Sequence, residues 1–132
     1  MNCLIDSHVF LWAIFSPERL SRRATEIILS TDSTVAVSVV TFWELSLKFA
    51  LGKLELNGVT PDLFPGAAKD AGFDILSLAD HEAASFHALP RLEHRDPFDR
   101  MLIWQAISRK LRLISADRAF DAYRAHGLKT VW

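Results

Sequence analysis

His94-Arg95-Asp96-Pro97-Phe98-Asp99-Arg100-Met101-Leu102-Ile103-Trp104-Gln105-Ala106 leads through Ile107-Ser108-Arg109-Lys110 into Leu111-Arg112-Leu113-Ile114-Ser115-Ala116-Asp117. The first part begins as a helix should. Asp96 stands in the N-cap position and Pro97 at the first helical position, and apolar residues recur at 98, 102, 103, 106 and 107. The spacing predicts a helix over 97–110. Residues 111–115 then form a short apolar run of strand length, and Asp117 closes it. A strong helix feeding a buried strand that ends in an acid is one unit of an α/β fold with a mostly parallel sheet.

The same alternation extends both ways. Strands are expected at residues 4–6, 34–40, 73–78 and 128–132 as well. Helices are expected at 7–15, 20–30, 41–51, 61–71, 79–89 and 117–126. Gly52, Gly72 and Gly127 follow three of these helices, Asp80 reads as an N-cap, and Pro65-Gly66 reads as a break. Helices on both faces of such a sheet give three α/β/α layers in one domain over 1–132, with ligands bound beyond the carboxyl ends of the strands.

Four acids fall at that edge. Asp6 closes the first strand and Asp117 the one at 111–115. Glu44 and Asp99 lie early in helices that start there. Each has a structural explanation of its own, because acids cap helices. Thr41 and Glu44 have capping-box spacing, and Lys48 stands at i+4 to Glu44. Together they need a counter-charge. Asp6 sits between apolar stretches, where an unpaired carboxylate costs several kcal/mol. Hard oxygen ligands suit Mg²⁺ or Mn²⁺, and the natural chemistry is hydrolysis of a phosphate ester.

Composition leaves that reading open. Half of the 132 residues are hydrophobic, so disorder is not expected. The net charge of −1 argues against holding nucleic acid by bulk charge alone. One cysteine, Cys3, gives no disulfide framework and fits a reducing cytoplasm. Asp6 and His8 interrupt the apolar stretch at 3–15, which lacks the marks of a secretory leader, and no run is long enough to cross a bilayer.

Asp6-Ser7, Glu44, the run from His94 to Ala106 and Leu113-Ile114-Ser115-Ala116-Asp117 together resemble the PIN domain, in particular the VapC-type toxins of toxin–antitoxin pairs. The resemblance spans the whole chain, and residues 94–106 are its most specific part. It implies a Mg²⁺- or Mn²⁺-dependent endoribonuclease that leaves 5′-phosphate and 3′-hydroxyl ends, with an antitoxin that blocks the site. It makes Asp6, Glu44, Asp99 and Asp117 the acidic quartet. Ser115 and Ser7 match hydroxyl positions beside the acids, and Asp96 is either a supporting acid or a cap. Trp104 departs from the family, which favours a small residue there.

Arg95, Arg100 and Arg118 flank the acids and are candidates for RNA phosphate contacts. The five histidines have no metal-binding spacing, and only His94 is near the acids. Residues 42–51 are apolar on more than one face, which suits either a deeply buried helix or a surface for a second copy or an antitoxin. Two other readings compete. A receiver-like phosphoacceptor needs a lysine ending a late strand, which residues 111–115 do not provide. A PIN fold acting only as a binding module has no need for all four acids.

Overall fold

The computed structural model describes residues Met1–Trp132. Five strands form one wholly parallel sheet: β1 (Asn2–Ile5), β2 (Thr34–Ser38), β3 (Asp74–Leu76), β4 (Arg112–Ile114) and β5 (Lys129–Val131). Their order is β3-β2-β1-β4-β5. The helices are α1 (Ser7–Phe15), α2 (Arg22–Leu29), α3 (Val39–Ala50), α4 (Phe64–Asp70), α5 (Asp80–Ser85) and α6 (Pro97–Arg109), with a 3-10 helix over Arg118–His126.

The central strands β1, β2 and β4 are largely apolar because both faces of the sheet are buried there. Successive side chains still part company. Cys3, Ile5, Val35, Val37 and Ile114 enter one core, which α1, α2 and α4 cover with Val9, Phe10, Ala24, Ile27, Phe64 and Ala68. Leu4, Ala36 and Leu113 enter the other, which α6 and the 3-10 helix cover with Leu102, Ile103, Ala106, Phe120 and Tyr123. These are the three expected layers. Each large side chain so buried stabilises the fold by about 1.5–3 kcal/mol before entropy is counted.

The middle of the sheet positions the site. β1 lies between β2 and β4, and Ile5 is in register with both Val37 and Ile114. The strands on either side of this switch point lead into helices at the same carboxyl edge. There the Asp6 N–H donates to the Ile114 carbonyl at 3.2 Å, which sets Asp6 beside Ser115.

Several expected boundaries move. Val39 and Val40 are helical rather than strand, because the Ser38 hydroxyl caps α3 by accepting the Val40 N–H at 3.1 Å. Thr41 therefore lies inside α3 and makes no capping box with Glu44. α5 is capped at Ala79 rather than Asp80, and Glu82 reaches back to the Ala79 N–H. Pro65 and Gly66 do not break α4, since Pro65 sits in the first turn where its missing N–H costs nothing. The helix expected at 117–126 takes the 3-10 form, with Asp117 as its N-cap and Gly127 at φ +101° ending it.

The apolar residues of α3 divide between core and surface. Phe42 and Leu45 pack into the first core. Trp43, Leu47 and Leu51 stay open on the outer face, at 62%, 40% and 59% exposure.

Candidate metal centre and active site

Asp6 caps α1. Its Oδ1 accepts the Val9 N–H at 2.8 Å and its Oδ2 accepts a short bond from the Ser115 hydroxyl. Ser115 in turn accepts the Asp117 N–H at 3.0 Å, so one hydroxyl joins the acids that follow β1 and β4. Asp6 is buried. Burial pushes its carboxyl up from the ordinary range and the charge of Asp117 adds to this, against the bonds from Ser115 and Val9.

Glu44 is equally buried, in the second turn of α3. The Ser7 hydroxyl donates to its Oε1 at 2.6 Å and lies 3.2 Å from Thr41 Oγ1. Lys48 donates to Oε2. Burial pulls the Lys48 amine down, but the bond and charge of Glu44 outweigh it, with Asp96 and Asp99 adding, and the net shift is upward.

Asp99 is in the first turn of α6. Asp96 caps that helix, its Oδ1 accepting the Phe98 and Asp99 N–H groups at 2.8 and 3.0 Å. The Asp99 carboxyl is pushed up to about 6, chiefly by burial, with the charges of Asp96 and Glu44 adding and the bond from His94 opposing. His94 Nε2 lies 2.9 Å from Asp99 Oδ2.

Two groups of side chains each bring their ligand atoms within 4.8 Å of one another: Glu44, Asp96 and Asp99, and His94, Asp99 and Asp117. Opposite ligands of an octahedral Mg²⁺ stand about 4.2 Å apart, so little movement is needed to grip an ion. Asp99 is common to both groups. Asp6 belongs to neither and joins the cluster through Ser115 and the charge of Asp117. Lys48 supplies one positive charge beside Glu44, against the carboxylates of Glu44, Asp96 and Asp99 grouped there. The donor set therefore fits a hard divalent cation.

The arginines divide. Arg100 turns to the Leu89 and Pro90 carbonyls at 3.1 and 3.3 Å and lies over the Phe86 ring at 4.8 Å, so its guanidinium is tied to the 86–90 segment. Arg95 and Arg118 are exposed without an ion pair, as is Arg91, which the sequence did not single out. These three line one cleft with His94, and His94 connects it to Asp99. The His94 contact has no signal in the sequence, while the Glu44–Lys48 pair does. A loop that folds back onto a helix start leaves no periodic trace, whereas the i,i+4 spacing of Glu44 and Lys48 shows their pairing directly. Trp104 packs at the second core and donates from Nε1 to the Ser85 hydroxyl at 3.1 Å, away from the acids.

Comparison with known proteins agrees with this architecture. The family model described as "PIN domain" matches residues 3–125. Ribonuclease VapC22 of Mycobacterium tuberculosis is 30% identical over 129 residues, covering 98% of this chain and 97% of that protein. Among solved structures, a chain of VapBC2 from Rickettsia felis, bound to a DNA fragment from its promoter, superimposes with TM-score 0.68 at 13% identity, covering 99% of this chain and 98% of that one. A chain of FitAcB from Neisseria gonorrhoeae does so with TM-score 0.65 at 20% identity, covering 100% and 97%. At those identities the structural matches speak for the fold.

Proposed function

The chain belongs to the PIN-domain family, and from that premise we propose that it is a divalent-metal-dependent endoribonuclease, the toxin of a VapBC-like toxin–antitoxin pair acting in the cytoplasm. No helix is long and apolar enough to cross a membrane. The observation that carries the reading is Asp99, an acid shared by two ligand groups and held up to about 6 by burial and by neighbouring carboxylates. Asp6, Glu44, Asp99 and Asp117 would hold Mg²⁺ or Mn²⁺, with Asp96 beside them. Such an ion, when bound, favours hydroxide over water at the site and offsets charge building on the phosphoryl oxygens.

The chain's own groups do the rest. Ser115 and Ser7 fix the buried carboxylates of Asp6 and Glu44, so that they do not have to be ordered when substrate arrives. Lys48 keeps positive charge beside Glu44. An acidic site repels RNA, and Arg91, Arg95 and Arg118 answer that by receiving substrate phosphates in the cleft they line. Arg100 contributes at one remove by bracing the 86–90 segment that leads into the arginine loop.

The protein partners belong to the same proposal. Superimposable structures include VapBC-5 of Mycobacterium tuberculosis, a member of the VapBC family of toxin–antitoxin systems, and a toxin–antitoxin complex from Klebsiella pneumoniae. An antitoxin covering the acids would silence the enzyme. The open face of Trp43, Leu47 and Leu51 leaves apolar surface for a protein contact, including one with a second copy of the chain.

The test is cleavage of structured and single-stranded RNAs by the antitoxin-free protein, with Mn²⁺ or with EDTA, alongside Asp6→Asn and Asp99→Asn. Cleavage is expected with Mn²⁺ only, and in neither variant. Cleavage that survives chelation, or that is undiminished in both variants, would sink the reading and leave a PIN fold used for binding.

A further inference from the structure

Asp6, Glu44 and Asp99 are held differently. Both oxygens of Asp6 and both of Glu44 accept bonds from protein donors. Asp99 accepts one, from His94 to Oδ2 at 2.9 Å, which leaves Oδ1 to other partners. His94 is itself held in place. Its ring meets Phe120 nearly edge-on, with centroids 5.2 Å apart and planes at 73°, and its side chain is only 14% exposed. His94 lies two residues before the cap Asp96, so one short length of chain grips both the N–H groups and the carboxylate of the first turn of α6.

We propose that His94 is a positioning residue: its Nε2–H holds Asp99 Oδ2 and thereby presents Oδ1 to a divalent cation. This rests on the metal-nuclease reading. An ionised carboxylate has no proton to give, so the bond runs from the imidazole to Asp99. Asp99 is the one acid shared by the two ligand groups, so a carboxylate free to rotate would loosen both at once. Partners that orient a ligating carboxylate typically account for 10- to 100-fold in metal affinity. His94 also stands in the second group, which gives it a rival role as a nitrogen ligand, and the two roles predict different results.

The experiment measures Mn²⁺ binding to the full chain without RNA, by calorimetry and by paramagnetic resonance of the bound ion. His94→Phe keeps a ring against Phe120 and removes the donor. His94→Gln keeps an N–H at similar reach. The expected result is Mn²⁺ binding weakened at least 10-fold in H94F, restored to within about threefold of wild type in H94Q, and a wild-type spectrum without directly bound nitrogen. Metal-free melting temperatures close to wild type show that folding is not the cause. If H94F does not unfold cooperatively, His94→Ala takes its place as the donor-free variant. Unchanged affinity in the donor-free variant, H94Q as weak as that variant, or strong nitrogen coupling in the wild type would each overturn the proposal while leaving the nuclease reading intact. A wild-type chain that binds no Mn²⁺ would overturn both.

Discussion

A carboxylate held largely out of water among other carboxylates is a cost to the fold that carries it. Asp99 titrates near 6 in the folded, metal-free chain, against about 3.9 when unfolded. Its folded value is the higher one, so its contribution to stability is complete below about pH 4 and is lost as pH rises through 6. Asp99→Asn should therefore be the more stable protein in EDTA at pH 8, by up to about 3 kcal/mol, and should nearly match wild type at pH 4. Denaturant midpoints at the two pH values check this. Added Mn²⁺ should reverse the order at pH 8 by stabilising only the wild type. Ser115 makes a different kind of contribution, holding Asp6 and the backbone of Asp117 with one hydroxyl. Ser115→Ala should lower kcat about 10-fold or more with little change in RNA affinity, as measured by cleavage kinetics alongside binding. The sequence supplied these acids and the two serines by family likeness and position. The pairing of each serine with its acid depends on neighbours far away in the chain, as Ser115 and Asp6 are.

Helix α6 carries Asp99 in its first turn and is anchored at its last. Glu82 on α5 is fully buried. Arg109 grips both its oxygens, Nε to Oε2 at 2.8 Å and a terminal nitrogen to Oε1 at 2.7 Å. Gln105 extends the seam to the Ser38 hydroxyl at 2.6 Å, at the end of β2. The Arg109 bond is the main reason that the Glu82 carboxyl is held down to about 2. A depressed value stabilises the fold above the unfolded pKa, near 4.3, and that benefit drains away as pH falls towards 2. Glu82→Gln should cost about 3 kcal/mol at pH 7, and the gap to wild type should narrow at pH 3, as read from urea unfolding at both values. The C-terminus of α6 offers the opposite kind of change. Lys110 holds φ +57° without being glycine, so Lys110→Gly should raise the melting temperature, for a gain of up to about 1 kcal/mol. Elements with a strong cap and a clear stripe, such as α6, were legible in sequence to within a residue. Val39 and Val40 were not, because β-branched residues favour strand locally and only the Ser38 cap turns them into helix.

Across the whole molecule, a net charge of −1 conceals a division of labour. Acids gather beyond the carboxyl ends of β1 and β4, and unpaired arginines line the neighbouring cleft. If that cleft receives RNA phosphates, Arg95→Ala with Arg118→Ala should weaken RNA binding about equally for different sequences and flatten its dependence on salt by roughly one unit per arginine removed. The metal-free melting temperature should stay where it is, since neither arginine holds an ion pair in the fold. Binding isotherms at several salt concentrations check this. A loss confined to one RNA sequence would mean that these side chains read bases instead.

The sequence by itself determined the α/β alternation, the cap and start of α6 and the family, and it nominated the four acids as candidates. These depend on local spacing and on residue types that few other chemistries need together. Only the tertiary structure decided which acid is central. Strand order put β1 between β2 and β4, register set Asp6 beside Ser115, and the fold-back of residues 90–96 brought His94 onto Asp99 and the arginines to one cleft. Distances of that kind depend on packing between segments remote in the chain, and a linear pattern of residues carries no direct record of them.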